Sequence, residues 1–212
     1  MTPQFITFTG VDNQVDLSKL IELSNLYPIE WGVLIGGNPL KNRYPKLDRI
    51  NEISEIALNN NLNCALHLCG EFARAAKDGI ISSEINISGY KRFQINSIYY
   101  DFDQLGQFAR SVNKDIIFQH RTNTFPTGLP PRVYPLHDKS GGKGKVPTSR
   151  PVTPDTFVGF AGGIGPTNVM DILSQISPGK FWIDMESSLR IDDKFDLNIC
   201  EQICRKVWNE NL

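Results

Sequence analysis

Residues 157–169 read FVGFAGGIGPTNV: an apolar run, the glycine pair Gly162-Gly163, then Pro166 at the head of a stretch with helical periodicity. A short apolar run bounded by glycine is the signature of a strand buried on both faces, and proline suits a first helical position. The spacing therefore predicts a strand over 157–163, a glycine turn and a helix over 166–176.

Working outward, the same unit recurs. Further strands are predicted at 5–10, 30–37, 63–70, 92–97, 115–121, 133–138 and 180–188, and helices at 16–27, 47–61, 71–77, 102–113 and 197–208. Among the crossovers, residues 139–155 (KSGGKGKVPTSRPVTPD) are singled out as the one without a helical pattern. Alternating strands and helices imply parallel strands joined by right-handed crossovers. Eight units in 212 residues, about 26 residues each, match a small (β/α)₈ TIM barrel filling one domain over 1–212, with a doubly wound open sheet as the alternative.

Composition narrows the function classes. Hydrophobic residues at 40% and charged residues at 21% are ordinary for a globular domain, and a net charge of −1 offers no general attraction to nucleic acid or an anionic membrane. No apolar run approaches the roughly 18 residues of a membrane-spanning helix. The four cysteines, at 64, 69, 200 and 204, form no C-x-x-C pair, and the opening residues carry no secretory pattern, so a reducing cytoplasm is expected. Cys200 and Cys204, four apart on one helical face, read as core packing.

A parallel barrel gathers its function at the C-terminal ends of its strands, with phosphate groups beside the loops after strands seven and eight. Gly162 and Gly163 occupy that place, where bare glycines let backbone N–H groups approach an anion. Ser187 and Ser188 after strand eight add donors. All three histidines, His67, His120 and His137, fall near predicted strand ends, and histidine is the side chain best matched to proton transfer near neutral pH. Lys41, Arg43, Lys139, Lys143 and Lys145 stand on loops of the same barrel face, and 140–145 (SGGKGK) reads as a flexible lid. His67-x-Cys69 puts two side chains on one strand face, and with His120 and either His137 or Asp138 it could compose a mixed zinc site; the main expectation is no metal and no cofactor.

Several stretches resemble phosphoribosylanthranilate isomerase, a (β/α)₈ enzyme of tryptophan biosynthesis. FAGGIGPTNV resembles that family's seventh-strand LAGGL-x-P-x-NV loop, and WIDMESSLR is similar to its eighth-strand VDVSSGVE. WGVLIGGNPLKNRYPKL, FQINS and LHDKSGGKGK resemble its second-strand, fourth-strand and sixth-strand segments. The resemblance implies phosphate binding at Gly162, Gly163, Ser187 and Ser188. It also implies substrate contacts at Arg43 and Gln94, with His120, Gly141 and Gly142 alongside, and a general acid at Asp138 or its neighbour His137.

One departure matters most. Where the family carries a basic cysteine at the end of strand one, this chain has Thr9, whose hydroxyl is far too weak an acid to act as a thiolate without a strong neighbouring base. His67 and Asp12 are the candidate replacements. Glu186 is a second departure, a carboxylate close to the expected phosphate. The implied activity is an acid/base aldose–ketose isomerisation of a phosphorylated ribosyl amine. The alternatives are a silent binder or sensor of a phosphoribosyl metabolite or nucleotide, and a metal-dependent phosphosugar enzyme. The expected partner is a phosphorylated small molecule, with no nucleic acid and no membrane, and the chain a monomer or homodimer.

Overall fold

The computed structural model describes residues 1–38, 40–97, 99–140 and 144–208. Eight parallel strands close into a barrel in sequential order, the first pairing with the eighth. They are β1 Ile6–Thr9, β2 Ile29–Ile35, β3 Asn63–Leu68, β4 Arg92–Ile95, β5 Asp115–His120, β6 Val133–His137, β7 Val158–Phe160 and β8 Phe181–Met185. The closed barrel therefore holds, and the open sheet is excluded by the β1–β8 pairing of Ile6 with Ile183 through Phe8 with Met185.

Helices α1 Leu17–Leu26, α2 Leu47–Asn59, α3 Gly70–Lys77, α4 Phe102–Val112, α5 Val169–Gln175 and α6 Leu197–Trp208 run between or after strands. Local chemistry sets their ends. Asp16 caps α1 by accepting from Ser18 N and Lys19 N, and Asp101 caps α4 by accepting from Asp103 N and Gln104 N. Asn113 closes α4 in a left-handed conformation at φ 53°, which asparagine tolerates.

Three expectations need correction. Helix α5 starts at Val169, so Pro166 opens the preceding turn rather than the helix. The β5–β6 connection, residues 121–132, is also without a helix, because its prolines and glycine (Pro126, Gly128, Pro130, Pro131) forbid a continuous hydrogen-bonded run. Strand β8 ends at Met185, and Ser187–Leu189 forms a single 3₁₀ turn that leads into the small hairpin β9 Arg190–Ile191 and β10 Lys194–Phe195.

Pleating divides each strand between two environments. Outward side chains such as Phe8, Trp31, Leu66, Phe93, Phe160 and Ile183 are fully buried under the surrounding shell. Inward ones fill the barrel floor: Ile117, Leu136, Ala161 and Trp182 form a separate apolar cluster with Phe5, Tyr134 and Phe157. Beside it Arg92 gives two 2.7 Å hydrogen bonds to Glu30, which also accepts from Thr7, while its guanidinium lies 4.4 Å from the Trp182 ring centre. The pair is bidentate and buried, so removing one partner would strand a charge. Cys200 and Cys204 are fully buried free thiols of α6, as core packing requires. Among the described residues no helix is long and apolar enough to cross a membrane.

Candidate functional site

Beyond the Arg92 layer the inward positions turn polar and enclose a cavity of about 320 Å³ at the C-terminal mouth. Most strands send their next inward residue there: Thr9 from β1, Leu34 from β2, His67 from β3, Gln94 from β4, Asp138 just past β6 and Asp184 from β8. The register steps around the barrel: Thr9 pairs with Gly32, while Leu34, one inward position further along β2, pairs with His67 and His67 with Gln94. Gly32 is bare for a reason. A Cβ there would stand 2.5 Å from Thr9 Oγ1 and 3.0 Å from His67 Nε2, so the glycine keeps open the space between them.

Gly162 and Gly163 line one side of the cavity at φ +92° and +65°, values that favour glycine. They also let the β6–β7 connection pass close by: a Cβ on Gly163 would meet Val146 N at 2.5 Å. Asn168 holds the following turn, donating to Gly163 O at 2.9 Å and accepting from Gly165 N at 2.8 Å. Ser187 joins the lining. Ser188 does not; its hydroxyl donates to Ile164 O at 2.7 Å and its side chain packs where any Cβ on Gly165 would fall.

The titratable groups are crowded. Thr9 Oγ1 donates to Asp184 Oδ1 at 2.8 Å. Burial pushes the Asp184 carboxyl well above the usual carboxylate range, opposed by that hydrogen bond and reinforced by Glu186, Glu30 and Asp138. Asp138 accepts from Ser140 N at 3.1 Å and Ser140 Oγ at 2.7 Å. Glu186 lines the cavity and takes an ion pair and hydrogen bond from Arg43. Burial raises its pKa against the pull of Arg43. His67 is 1% exposed, and burial with Arg92 nearby lowers its pKa to about 3, so the ring is neutral near pH 7. Its Nε2 and the Gln94 Oε1 are buried without a hydrogen-bond partner.

Thr9, Arg43, His67, Gln94, Asp138, Gly162, Gly163 and Ser187 are thus brought to one cavity, and other candidates are not. His137 adjoins Asp138 in sequence and so faces the opposite way, its ring packed against Phe125, Phe160 and His120 on the outer side of the barrel. His120, paired in register with His137, shares that outer side. Burial lowers both to a pKa of about 4. Asp12 is committed elsewhere, accepting from Arg190 at 2.6 Å and from Phe195 N at 2.9 Å to fasten the β9–β10 hairpin. Of the loop lysines, Lys41 reaches the cavity while Lys139 turns to Asn123 at 3.3 Å. Gly141, Gly142 and Lys143 lie outside the described residues.

For the zinc alternative, His67 and Cys69 do share the inner face, but His120 and His137 lie on the outer one. Among the described residues no group of three or more histidines, cysteines or acids is placed to hold a metal. Sequence reading missed Asp184 altogether. The signal was available: counting by two from Glu186 puts Asp184 on the same face, and counting by two from Asp138 leaves His137 out.

No family model and no curated protein matches the chain. Solved structures do. N-(5′-phosphoribosyl)anthranilate isomerase from Pyrococcus furiosus superposes with a TM-score of 0.65 at 16% identity, covering 97% of this chain and 99% of that one. A phosphoribosylanthranilate isomerase in complex with reduced 1-(o-carboxyphenylamino)-1-deoxyribulose 5-phosphate gives 0.63 at 13%, covering 99% and 100%. A mutant tryptophan synthase α-subunit, also from P. furiosus, gives 0.56 at 13%, covering 99% and 100%. At these identities the likeness is one of fold alone, the (β/α)₈ barrel.

Proposed function

We propose that the chain binds a phosphorylated ribosyl amine or related sugar phosphate at the barrel mouth and isomerises it by acid/base catalysis. The observation that carries the reading is the Thr9–Asp184 hydrogen bond of 2.8 Å, in a cavity shared with Asp138 and the glycine pair. Gly162, Gly163 and Ser187 hold the phosphate through backbone N–H groups and a hydroxyl. Asp138 gives a proton to the ring oxygen as the C1–O bond opens and the nitrogen lone pair forms an iminium. Asp184 then takes the C2 proton, the C–H electrons form C1=C2, the iminium electrons return to nitrogen, and the enol ketonises. Thr9 orients Asp184 rather than acting as base itself. Asp184 acts in its ionised form, and the elevated pKa makes that carboxylate a stronger base than an ordinary one. Four free thiols fit a reducing cytoplasm.

The test is product analysis by mass spectrometry after incubation with a panel of N-(5′-phosphoribosyl) amines, the anthranilate included. Conversion abolished in both Asp138→Asn and Asp184→Asn, with binding retained, supports the assignment. Binding without conversion by the unaltered chain would instead leave a silent phosphoribosyl binder.

A further inference from the structure

The Arg43–Glu186 pair defines the class of ligand at this same site, and the inference rests on the reading just given. Among the described residues, five charged side chains reach the cavity: Lys41, Arg43, Asp138, Asp184 and Glu186. Lys41 is exposed at the rim, and Arg43, reaching in from the β2–α2 loop, is already engaged by Glu186. The wall opposite β7 and β8, where the group attached to a phosphosugar would extend, adds no further charge among the described residues. It is built from Leu34, Tyr44, Cys69, Gln94, Asn96 and Gln119.

That wall has directional polarity. Gln94 Nε2 donates to Asn96 Oδ1 at 3.0 Å, and Asn96 Nδ2 in turn donates to Cys69 Sγ at 3.1 Å. The chain of donors leaves Gln94 Oε1 buried with no partner, an acceptor that a donor on the ligand can satisfy. A carboxylate brought here would meet a guanidinium already shared with one carboxylate, with Asp138 also in the cavity. Like charges crowded into a desolvated site repel strongly, and such repulsion is how a pocket rejects a near-isostere.

We propose that the ligand carries an uncharged, hydrogen-bond-donating group, such as a carboxamide or an amino-bearing ring, opposite its phosphate, and that the Arg43–Glu186 pair excludes carboxylate-bearing analogues. The donor satisfies Gln94 Oε1. Glu186 acts as a specificity residue by occupying the cation that a carboxylate would need.

Titration calorimetry with three probes tests this: ribose 5-phosphate, reduced 1-(o-carboxyphenylamino)-1-deoxyribulose 5-phosphate, and the same compound with a carboxamide replacing the carboxylate. The unaltered chain is expected to bind the carboxamide at least about tenfold more tightly than the carboxylate, and Glu186→Gln to reverse the order by leaving the charge of Arg43 uncompensated. Glutamine still accepts from Arg43, so the cavity wall is retained. Equal affinities, or a preference for the carboxylate in the unaltered chain, overturn the proposal whether or not the variant folds. So does an unchanged preference in folded Glu186→Gln. If ribose 5-phosphate binds in either of those cases, only the specificity inference falls. If none of the three probes binds, the phosphate reading falls with it.

Discussion

Thr9 and Asp184, 175 residues apart in sequence, share a 2.8 Å hydrogen bond at the mouth of the barrel, with the hydroxyl donating to a carboxyl that burial has made reluctant to ionise. Replacing Asp184 by Asn keeps the acceptor oxygen for Thr9 and removes the group proposed to take the proton. Conversion is expected to fall by about 10²- to 10⁴-fold with little change in ligand affinity, read as kcat against KM. Thr9→Val, which removes only the orienting bond, should have a smaller effect. A pH dependence follows from the raised folded-state pKa. The unaltered protein loses stability as pH rises above the ordinary carboxylate range, because the unfolded chain ionises more readily. Asp184→Asn should therefore gain in relative stability as pH rises from about 4, measured by urea unfolding.

Gly163 sits at φ +65° with the Val146 amide where a Cβ would go. Gly163→Ala is expected to destabilise the fold by about 1–3 kcal/mol through backbone strain and displacement of the 144–147 segment. It should also weaken binding of ribose 5-phosphate. A thermal melt and a titration on the same sample separate the two effects, and an unchanged melting temperature would contradict the close approach.

His137 lies on the outer side of the barrel among Phe125, Phe160 and His120, with both ring nitrogens lacking a partner. His137→Phe removes no hydrogen bond and should be neutral or stabilising at pH 7, with ligand binding unchanged. Because burial lowers its pKa from 6.5 to about 4, the folded state holds the ring neutral while the unfolded chain takes up a proton. Stability therefore declines as pH falls through that window. The variant should recover about 1–2 kcal/mol of that loss at pH 5, seen as a flatter unfolding free energy against pH. A loss of turnover in His137→Phe would return this residue to acid catalysis.

Asp12 and Arg190 form a pair whose side chains are 2% and 4% exposed, and Asp12 also accepts from the Phe195 amide. Asp12→Ala removes one of the two carboxylates on the buried Arg190, the other being Asp193 at 3.3 Å, and leaves the Phe195 amide without its acceptor; it is expected to destabilise by about 1.5–3 kcal/mol. If Asp12 is structural, Asp12→Asn should lower the melting temperature yet convert substrate normally at a temperature where it is folded. Selective loss of kcat in folded Asp12→Asn would place it in the chemistry instead.

Strand–helix alternation determines a parallel α/β architecture, because apolar runs buried on both faces and amphipathic helices of the right length have few other ways to bury their surfaces; the pairing of β1 with β8 decides between a barrel and an open sheet. Some site positions are legible too: Gly162-Gly163 stand at the barrel mouth by their place after strand seven, while Asp138 and Gln94 stand out only through the family resemblance. What a linear reading could not decide was the facing of each side chain. His137 and Asp138 are adjacent and chemically plausible alike, and the pleat sends one into the cavity and the other into an aromatic shell. Nor could it pair groups far apart in the chain. That Asp184 stands behind Thr9, that Glu186 has taken Arg43, and that Asp12 belongs to Arg190 are consequences of closing β8 against β1 and folding the loops over the rim. Composition and periodicity determine which elements form; only closure of the barrel decides which charges become neighbours, and so which are left to meet a ligand.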